Sequence, residues 1–176
     1  TGRDRFLLAR KGEASLGENS GTDAPERSAE IRRAAGALRA GELVVLPTDT
    51  VYGVASDPWD DAAVTRLLAA KGRDEAMPPP VLVPGVESIA DLAHFDSPEE
   101  QRRVEDLARR FWPGPLTIVV RAQQQAGREL GWDTARTGGT VALRMPDHPL
   151  ALQLLREAGP LAVTSANKTG APPAQS

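Results

Sequence analysis

The sequence has no cysteine and only two histidines among its 176 residues. Without thiols the chain has no disulfide bond, no cysteine nucleophile and no cysteine-ligated metal. The two histidines, His94 and His148, lack the spacing of a paired metal site. We therefore expect no metal ion bound by protein side chains. The lack of cysteine is also compatible with a reducing cytoplasm, where we expect the protein to work.

Long apolar runs and a large excess of one charge are lacking as well. No apolar stretch approaches the ~20 residues that a membrane-spanning helix needs, so we expect no membrane contact. The formal net charge of −3 and the isoelectric point near 5.5 give no overall attraction to nucleic acid. The 40% of hydrophobic residues, together with 16 glycines and 15 prolines, is typical of one compact, loop-rich domain.

The spacing of apolar residues predicts helices and strands in alternation. Apolar positions three and four residues apart, preceded by capping residues, predict four helices. Short apolar runs predict five strands, and such alternation is typical of an α/β sheet covered by helices. The predicted helices begin near Asp23, at Asp60 or Asp61, at Ser97 and at Asp147, and the predicted strands cover residues 42–46, 81–83, 116–120, 140–144 and 161–164.

The N-terminal stretch differs from the rest of the chain. Residues 1–22 are polar and glycine-rich and show no apolar period, so we expect a flexible N-terminal arm. Residues 23–176 contain every predicted helix and strand, and no internal repeat is visible in them. We expect these residues to form a single domain.

Polar groups suited to ligand binding gather directly after apolar strands or helices. They lie in PTDTVYG after ELVVL, in KGR after the second helix, in ALR on a strand and in TSAN after LAV. In open α/β sheets, ligands bind beyond the carboxyl ends of the strands. Such hydroxyls, cations and amides suit a polyanion together with a small zwitterion, because Lys and Arg neutralise phosphate and Arg can grip a carboxylate. The residues are Thr48, Thr50, Lys71, Arg73, Arg144, Thr164, Ser165 and Asn167.

Each of these residues also has an ordinary structural explanation. A lysine in the last turn of a helix, such as Lys71, is stabilised by the helix dipole. Arg144 could be a solvated residue of a strand, residues 48–50 could simply form a turn, and Asn167 could cap or turn the chain. Taken singly, none of them assigns a function.

Taken together, the motifs match a family. Five motifs occur in the chain in the order PTDTVYG, KGR, FWPGPLT, TVALRMPDHP and TSANKTG. With these motifs, residues 28–173 resemble the YrdC-type threonylcarbamoyl-AMP synthases. The resemblance implies an α/β fold with a single twisted, mostly mixed sheet flanked by helices and a concave ligand-binding face. It also implies that L-threonine, bicarbonate and ATP give threonylcarbamoyl-AMP and pyrophosphate. A separate transferase would then modify tRNA, with direct tRNA contact by this chain left open.

The resemblance implies roles at the positions that match the family's motifs. Lys71, Arg73, Ser165 and Asn167 match its catalytic basic and polar signature. Of these, Lys71 and Arg73 would bind the phosphates of ATP, and Ser165, with Thr140, would contact the nucleotide. Mg²⁺ is expected as a companion of those phosphates.

The threonine site is implied at three further positions. Thr50 matches a threonine-contacting residue, Arg144 matches the residue that holds the amino-acid carboxylate, and Val163 would offer backbone groups. Alternation along a strand places Thr140 and Arg144 on one face, roughly 13 Å apart. The carbamate would then form between the adenylate and the amino acid.

The sequence departs from the family pattern at several positions. Asp74 stands where proline is usual, Met77 where some members have asparagine and Leu82 where some have a threonine-contacting histidine, and Pro173 replaces a small polar residue. We expect residues 23–176 to form a YrdC-like domain without the family's usual C-terminal segment. The alternatives are a carbamoyl-AMP-forming domain of a carbamoyltransferase or hydrogenase-maturation protein, and a non-catalytic module that binds nucleotide or RNA.

Overall fold

A mixed sheet of seven strands organises the residues described by the computed structural model, which are 7–8, 23–71, 78–124 and 129–166. The strands are β1 (Leu7–Leu8), β2 (Val44–Leu46), β3 (Gly53–Ser56), β4 (Val81–Leu82), β5 (Ile118–Arg121), β6 (Thr140–Arg144) and β7 (Leu161–Ser165). Their order across the sheet is β1-β2-β3-β7-β4-β6-β5. The β1–β2 and β4–β6 pairs are parallel, and the other four are antiparallel.

Helices lie against both faces of this sheet, so the predicted α/β fold class is confirmed. The α-helices of the described ranges are α1 (Asp23–Arg39), α2 (Asp61–Lys71), α3 (Ile89–Leu92), α4 (Pro98–Phe111) and α5 (Pro149–Ala158). Two short 3-10 turns cover Val86–Ser88 and Thr134–Thr137. Within the described residues, no helix combines the length and the apolar character that crossing a membrane requires.

One face of the sheet is covered by α1 and α5. These helices pack against each other and bury the side chains of β2, β7 and β4 that point toward them. The cluster includes Leu38 from α1, Leu155 from α5, and the cross-strand pair Leu82 and Leu161. Burying such leucines stabilises the fold by about 1.5–3 kcal/mol each.

The opposite face is covered by helices from β3 across to β5. Over β4, β5 and β6, the helices α3 and α4 and the side chain of Trp112 pack on Val81 and Leu143. Over β3 and β7, Leu67 of α2 packs on Val54. This side of the sheet therefore forms the larger part of the core.

The first face is left without a helix over β5 and β6, among the residues that the structure describes. Along β6, Val141 and Leu143 are buried under α3 and α4, whereas Thr140, Ala142 and Arg144 on the other face are partly exposed. Cross-strand partners share a face. The predicted placement of Thr140 and Arg144 on one face is therefore confirmed, and within the described ranges both residues keep some exposure there.

Three of the four predicted helix starts are confirmed, and the fourth is wrong in its capping residue; α1 begins at Asp23 as predicted. Asp60 caps α2, since its Oδ1 accepts from the Ala63 amide at 3.0 Å, and Ser97 caps α4 through the Glu100 amide at 3.1 Å. Asp147 does not cap α5, because the cap position is occupied by His148, whose side chain makes no capping bond. The fixed φ of Pro149 starts that helix, and the residue before a proline is held extended.

Strands β1 and β3 are absent from the prediction. Strand β3 is short, begins with a glycine and ends with a serine, yet all four residues are buried. Gly53 is required there, because a Cβ would lie 2.5 Å from a methyl carbon of Val163 on β7. Strand β1 lies inside the stretch expected to be an arm, and its two residues pair with β2. The rest of residues 1–22 lie outside the described residues.

We expect Leu143→Ala to lower the free energy of unfolding by about 2–5 kcal/mol, because Leu143 is fully buried at the centre of the larger core. Chemical denaturation measures this change. The matched control is Leu107→Ala on α4, where the leucine is 42% exposed, and we expect a change within about 0.5 kcal/mol. Equal losses in the two variants would contradict the assignment of the core.

Candidate active site

Arg144 is held on the uncovered sheet face by two acceptors from distant parts of the chain. Its Nε donates to the carbonyl oxygen of Gly114 at 3.0 Å, and its Nη2 donates to Oδ2 of Asp49 at 2.6 Å. The side chains of Arg144 and Asp49 are each only 16% exposed. The amide of Gly114 in turn donates to the carbonyl of Met145, which ties that loop to the end of β6. The guanidinium group is therefore fixed in orientation.

The PTDT segment approaches Arg144 as a turn that Thr48 organises. The Thr48 hydroxyl donates to the Val51 carbonyl at 2.5 Å and accepts from the amides of Thr50 and Val51, each at 3.3 Å. Thr48 is thus a turn-forming residue, which is the ordinary explanation considered for it. The hydroxyl of Thr50 lies 3.2 Å from that of Thr48, whose proton is engaged. Thr50 is therefore the donor in this contact, and its exposed oxygen keeps the capacity to accept.

Thr140 begins β6, and its hydroxyl is engaged by a neighbouring turn. It donates to the Thr137 carbonyl at 2.7 Å, and the Thr137 hydroxyl donates to the Thr140 carbonyl at 2.8 Å. A ligand would therefore meet Thr140 as a hydrogen-bond acceptor. Its cross-strand partner Arg121 lines an open cleft of about 450 Å³, a volume typical of small-molecule sites. The other lining residues are His94, Ala122, Gln123, Gln124, Gly138 and Gly139.

The end of β7 lies beside the segment that contains the PTDT turn. Ser165 pairs with Gly53, which directly follows residues 47–52, and the Ala166 amide donates to the Tyr52 carbonyl at 2.7 Å. Val163 is 6% exposed and its amide is bonded to the Pro80 carbonyl, so this N–H is engaged within the fold.

Lys71 is the last residue of α2, as the sequence predicts, but its side chain is not described. Arg73 and Asn167 lie outside the described residues, as do Asp74, Met77 and Pro173. Leu82, the position where some family members have histidine, is 5% exposed and pairs with Arg144 in the sheet.

Two residues near Arg144 were not predicted as members of a site. Asp49 was considered only as a turn former, although its carboxylate binds Arg144, which is 95 positions away. His148 has a buried Nδ1 without a hydrogen-bond partner among the described residues. Burial lowers the pKa of His148, while the carboxylates of Asp49 and Asp147 act in the opposite direction. In the sequence, the indication that Asp49 lies near the site was its position between the two threonines of the PTDT motif.

Comparison with known proteins gives consistent matches. The family model Sua5/YciO/YrdC, described as telomere recombination, matches residues 36–176. A Mycobacterium tuberculosis protein, provisionally named a threonylcarbamoyl-AMP synthase, is 49% identical over 151 residues, which are 86% of this chain and 66% of that protein. The threonylcarbamoyl-AMP synthase of Pyrococcus abyssi is 43% identical over 81% of this chain and 40% of its own length.

A solved structure matches at similar identity. It is that of P. abyssi Sua5 complexed with L-threonine, with a TM-score of 0.72 and 41% identity over 85% of this chain and 42% of the other. The present chain thus spans about two thirds of the mycobacterial relative and less than half of the archaeal protein.

We expect His148→Gln to reduce the dependence of thermal stability on pH. The pKa of His148 in the folded protein is lower than the ~6.5 of an unfolded chain, so the unfolded state takes up a proton first as the pH falls. Stability is unaffected above both pKa values and declines below roughly pH 6.5. The fall in Tm between about pH 7.5 and about pH 5.5 should therefore be smaller in the variant. An equal fall in Tm in wild type and variant would contradict this interpretation of His148.

Proposed function

The chain belongs to the Sua5/YciO/YrdC family, and on that basis we propose that it forms threonylcarbamoyl-AMP and pyrophosphate from L-threonine, bicarbonate and ATP. Two observations support the proposal: relatives at 43–49% identity carry the name of this synthase, and the solved structure of P. abyssi Sua5 holds L-threonine. The product would pass to a tRNA-modifying transferase, which implies a cytoplasmic protein. Direct contact between this chain and tRNA is not part of the proposal.

The observation that carries the proposal is the fixed guanidinium of Arg144 on an accessible sheet face beside the PTDT turn. Arg144 still has an unpartnered Nη1 among the described residues, and the Thr50 hydroxyl lies on the turn that supplies Asp49. A carboxylate and a hydroxyl are the groups that distinguish threonine from most metabolites. We assign the carboxylate to Arg144 and the hydroxyl to Thr50.

The nucleotide is assigned to the opposite end of β6. Thr140 would accept a hydrogen bond from it, and the 450 Å³ cleft that Arg121 lines offers room for part of a nucleotide. Ser165 would contact the nucleotide from β7, while Val163 would offer its backbone carbonyl to threonine. Lys71 and Arg73 are assigned to the phosphates and Asn167 to the carbamate, as the family motifs imply. Mg²⁺ would enter bound to the phosphates of ATP.

The reaction needs positioned reactants and neutralised charge more than a covalent nucleophile. The amine of threonine adds to CO₂ derived from bicarbonate and loses a proton, which gives a carbamate. A carbamate oxygen then attacks the α-phosphorus of ATP, the bond to the bridging oxygen breaks, and pyrophosphate leaves. Cations near the phosphates and a fixed carboxylate clamp are the contributions that such an in-line transfer requires.

The test is to incubate the chain with L-threonine, bicarbonate and MgATP. Pyrophosphate release is followed by a coupled assay, and threonylcarbamoyl-AMP is identified by mass spectrometry. We expect no product when any one substrate is omitted. L-valine has the shape of threonine without the hydroxyl, and should be disfavoured by about 1–3 kcal/mol. Turnover that requires carbamoyl phosphate and ignores threonine would instead support the carbamoyltransferase alternative.

We expect Arg144→Lys to raise KM for L-threonine about tenfold and to change KM for ATP much less. Lysine keeps the positive charge but cannot form two parallel hydrogen bonds to a carboxylate. The control is Arg109→Lys on α4, where the arginine is 57% exposed and forms its ion pairs with Glu105 and Asp106 of its own helix. An increase in KM for ATP alone would reverse the assignment of the two ends of β6.

A further inference from the structure

The ion pair between Asp49 and Arg144 is not needed to form the turn that contains Asp49. The turn is held by the hydrogen bonds of Thr48, whereas the carboxylate of Asp49 binds a guanidinium group 95 positions away. The residue Asp49 is exposed as a whole, but its side chain is only 16% exposed. Its carboxylate therefore points inward while its backbone faces solvent. Such a shielded carboxylate acts on Arg144 rather than on its own loop.

The pair leaves a defined part of the guanidinium group for a ligand. Nε and Nη2 lie along one edge of the planar fork, and both have protein acceptors, the Gly114 carbonyl and the Asp49 carboxylate. Nη1 has no partner among the described residues. The end of the fork, made by Nη1 and the second hydrogen of Nη2, can still donate to two carboxylate oxygens.

The pair also changes the net charge that a ligand meets. Arg144 alone would attract any anion, but the shielded Arg144–Asp49 pair is neutral in sum. A plain carboxylate would add an uncompensated negative charge beside Asp49, which is unfavourable where solvent screening is weak. An α-amino acid adds no net charge, because its ammonium group lies one carbon from its carboxylate. His148, which also lies near Asp49, is disfavoured by burial from supplying that positive charge.

We propose that Asp49 is a specificity-determining residue of the amino-acid site, which makes Arg144 select the zwitterion of threonine over a simple carboxylate. Asp49 does this by closing one edge of the guanidinium group and by facing the ammonium group of the substrate. The inference rests on the proposed function, since it assumes that threonine binds at Arg144. It adds the basis on which that site discriminates among anions.

Calorimetry with wild type and Asp49→Asn tests the idea. The two ligands are L-threonine and 3-hydroxybutanoate, which is threonine without its amino group. Asparagine keeps an oxygen that can accept from Nη2 but removes the charge. We expect wild type to prefer threonine by tenfold or more, and the variant to bind threonine about tenfold more weakly. Its affinity for 3-hydroxybutanoate should be unchanged or higher, so the preference collapses.

The control is Asp147→Asn, which removes an exposed carboxylate that also lies near His148 and makes no ion pair with Arg144 among the described contacts. We expect it to keep the wild-type preference. Equal weakening of both ligands by Asp49→Asn would show a structural role and overturn the proposal, as would a wild type that binds the two ligands equally. A wild type that prefers threonine but forms no adenylate would overturn the synthase function and leave the role of Asp49 standing.

Discussion

The side chain of Arg144 is only 16% exposed, and burying a cation without any partner costs several kcal/mol, so the fold must supply acceptors for part of its guanidinium group. Arg144 meets this requirement with one acceptor from the loop after α4 and one from the turn after β2. Three segments that are distant in sequence are therefore held at one place by a single side chain. The candidate site is the meeting point of those segments, and its geometry depends on their contact with Arg144.

The distribution of helices decides where that site can be. Helices α1 and α5 cover one face over β2, β7 and β4, while α2, α3 and α4 cover the other face from β3 across to β5. The strip over β5 and β6, which no helix of the described ranges covers, carries the polar positions of the alternating strand TVALR, with Thr140 at one end and Arg144 at the other. The same alternation that buries Val141 and Leu143 thus presents the two predicted ligand contacts on the accessible face.

Features set by local pattern could be predicted, and features set by distant contacts could not. The capping roles of Asp60 and Ser97 and the two faces of β6 follow from residues a few positions apart. Strand β3 escaped prediction because its burial depends on β2 and β7, and Gly53 gave no apolar signal. The contact of Asp49 with Arg144 and the burial of His148 were not predicted, because both arise from tertiary contacts that no short window of sequence contains.

Strand β5 is an edge strand of the sheet, and an edge strand exposes backbone groups to which another chain could add a strand. Val119 on this strand is 63% exposed, which would favour that kind of addition. However, the edge is covered where β5 ends. There, Ala93 forms a β-bridge with Ala122, and the His94 amide donates to the Arg121 carbonyl. Arg121 pairs there with Asp96, so charge is placed beside the short remaining stretch. Natural sheets use short, charged and partly covered edge strands to resist intermolecular β-addition and aggregation, and β5 has these features.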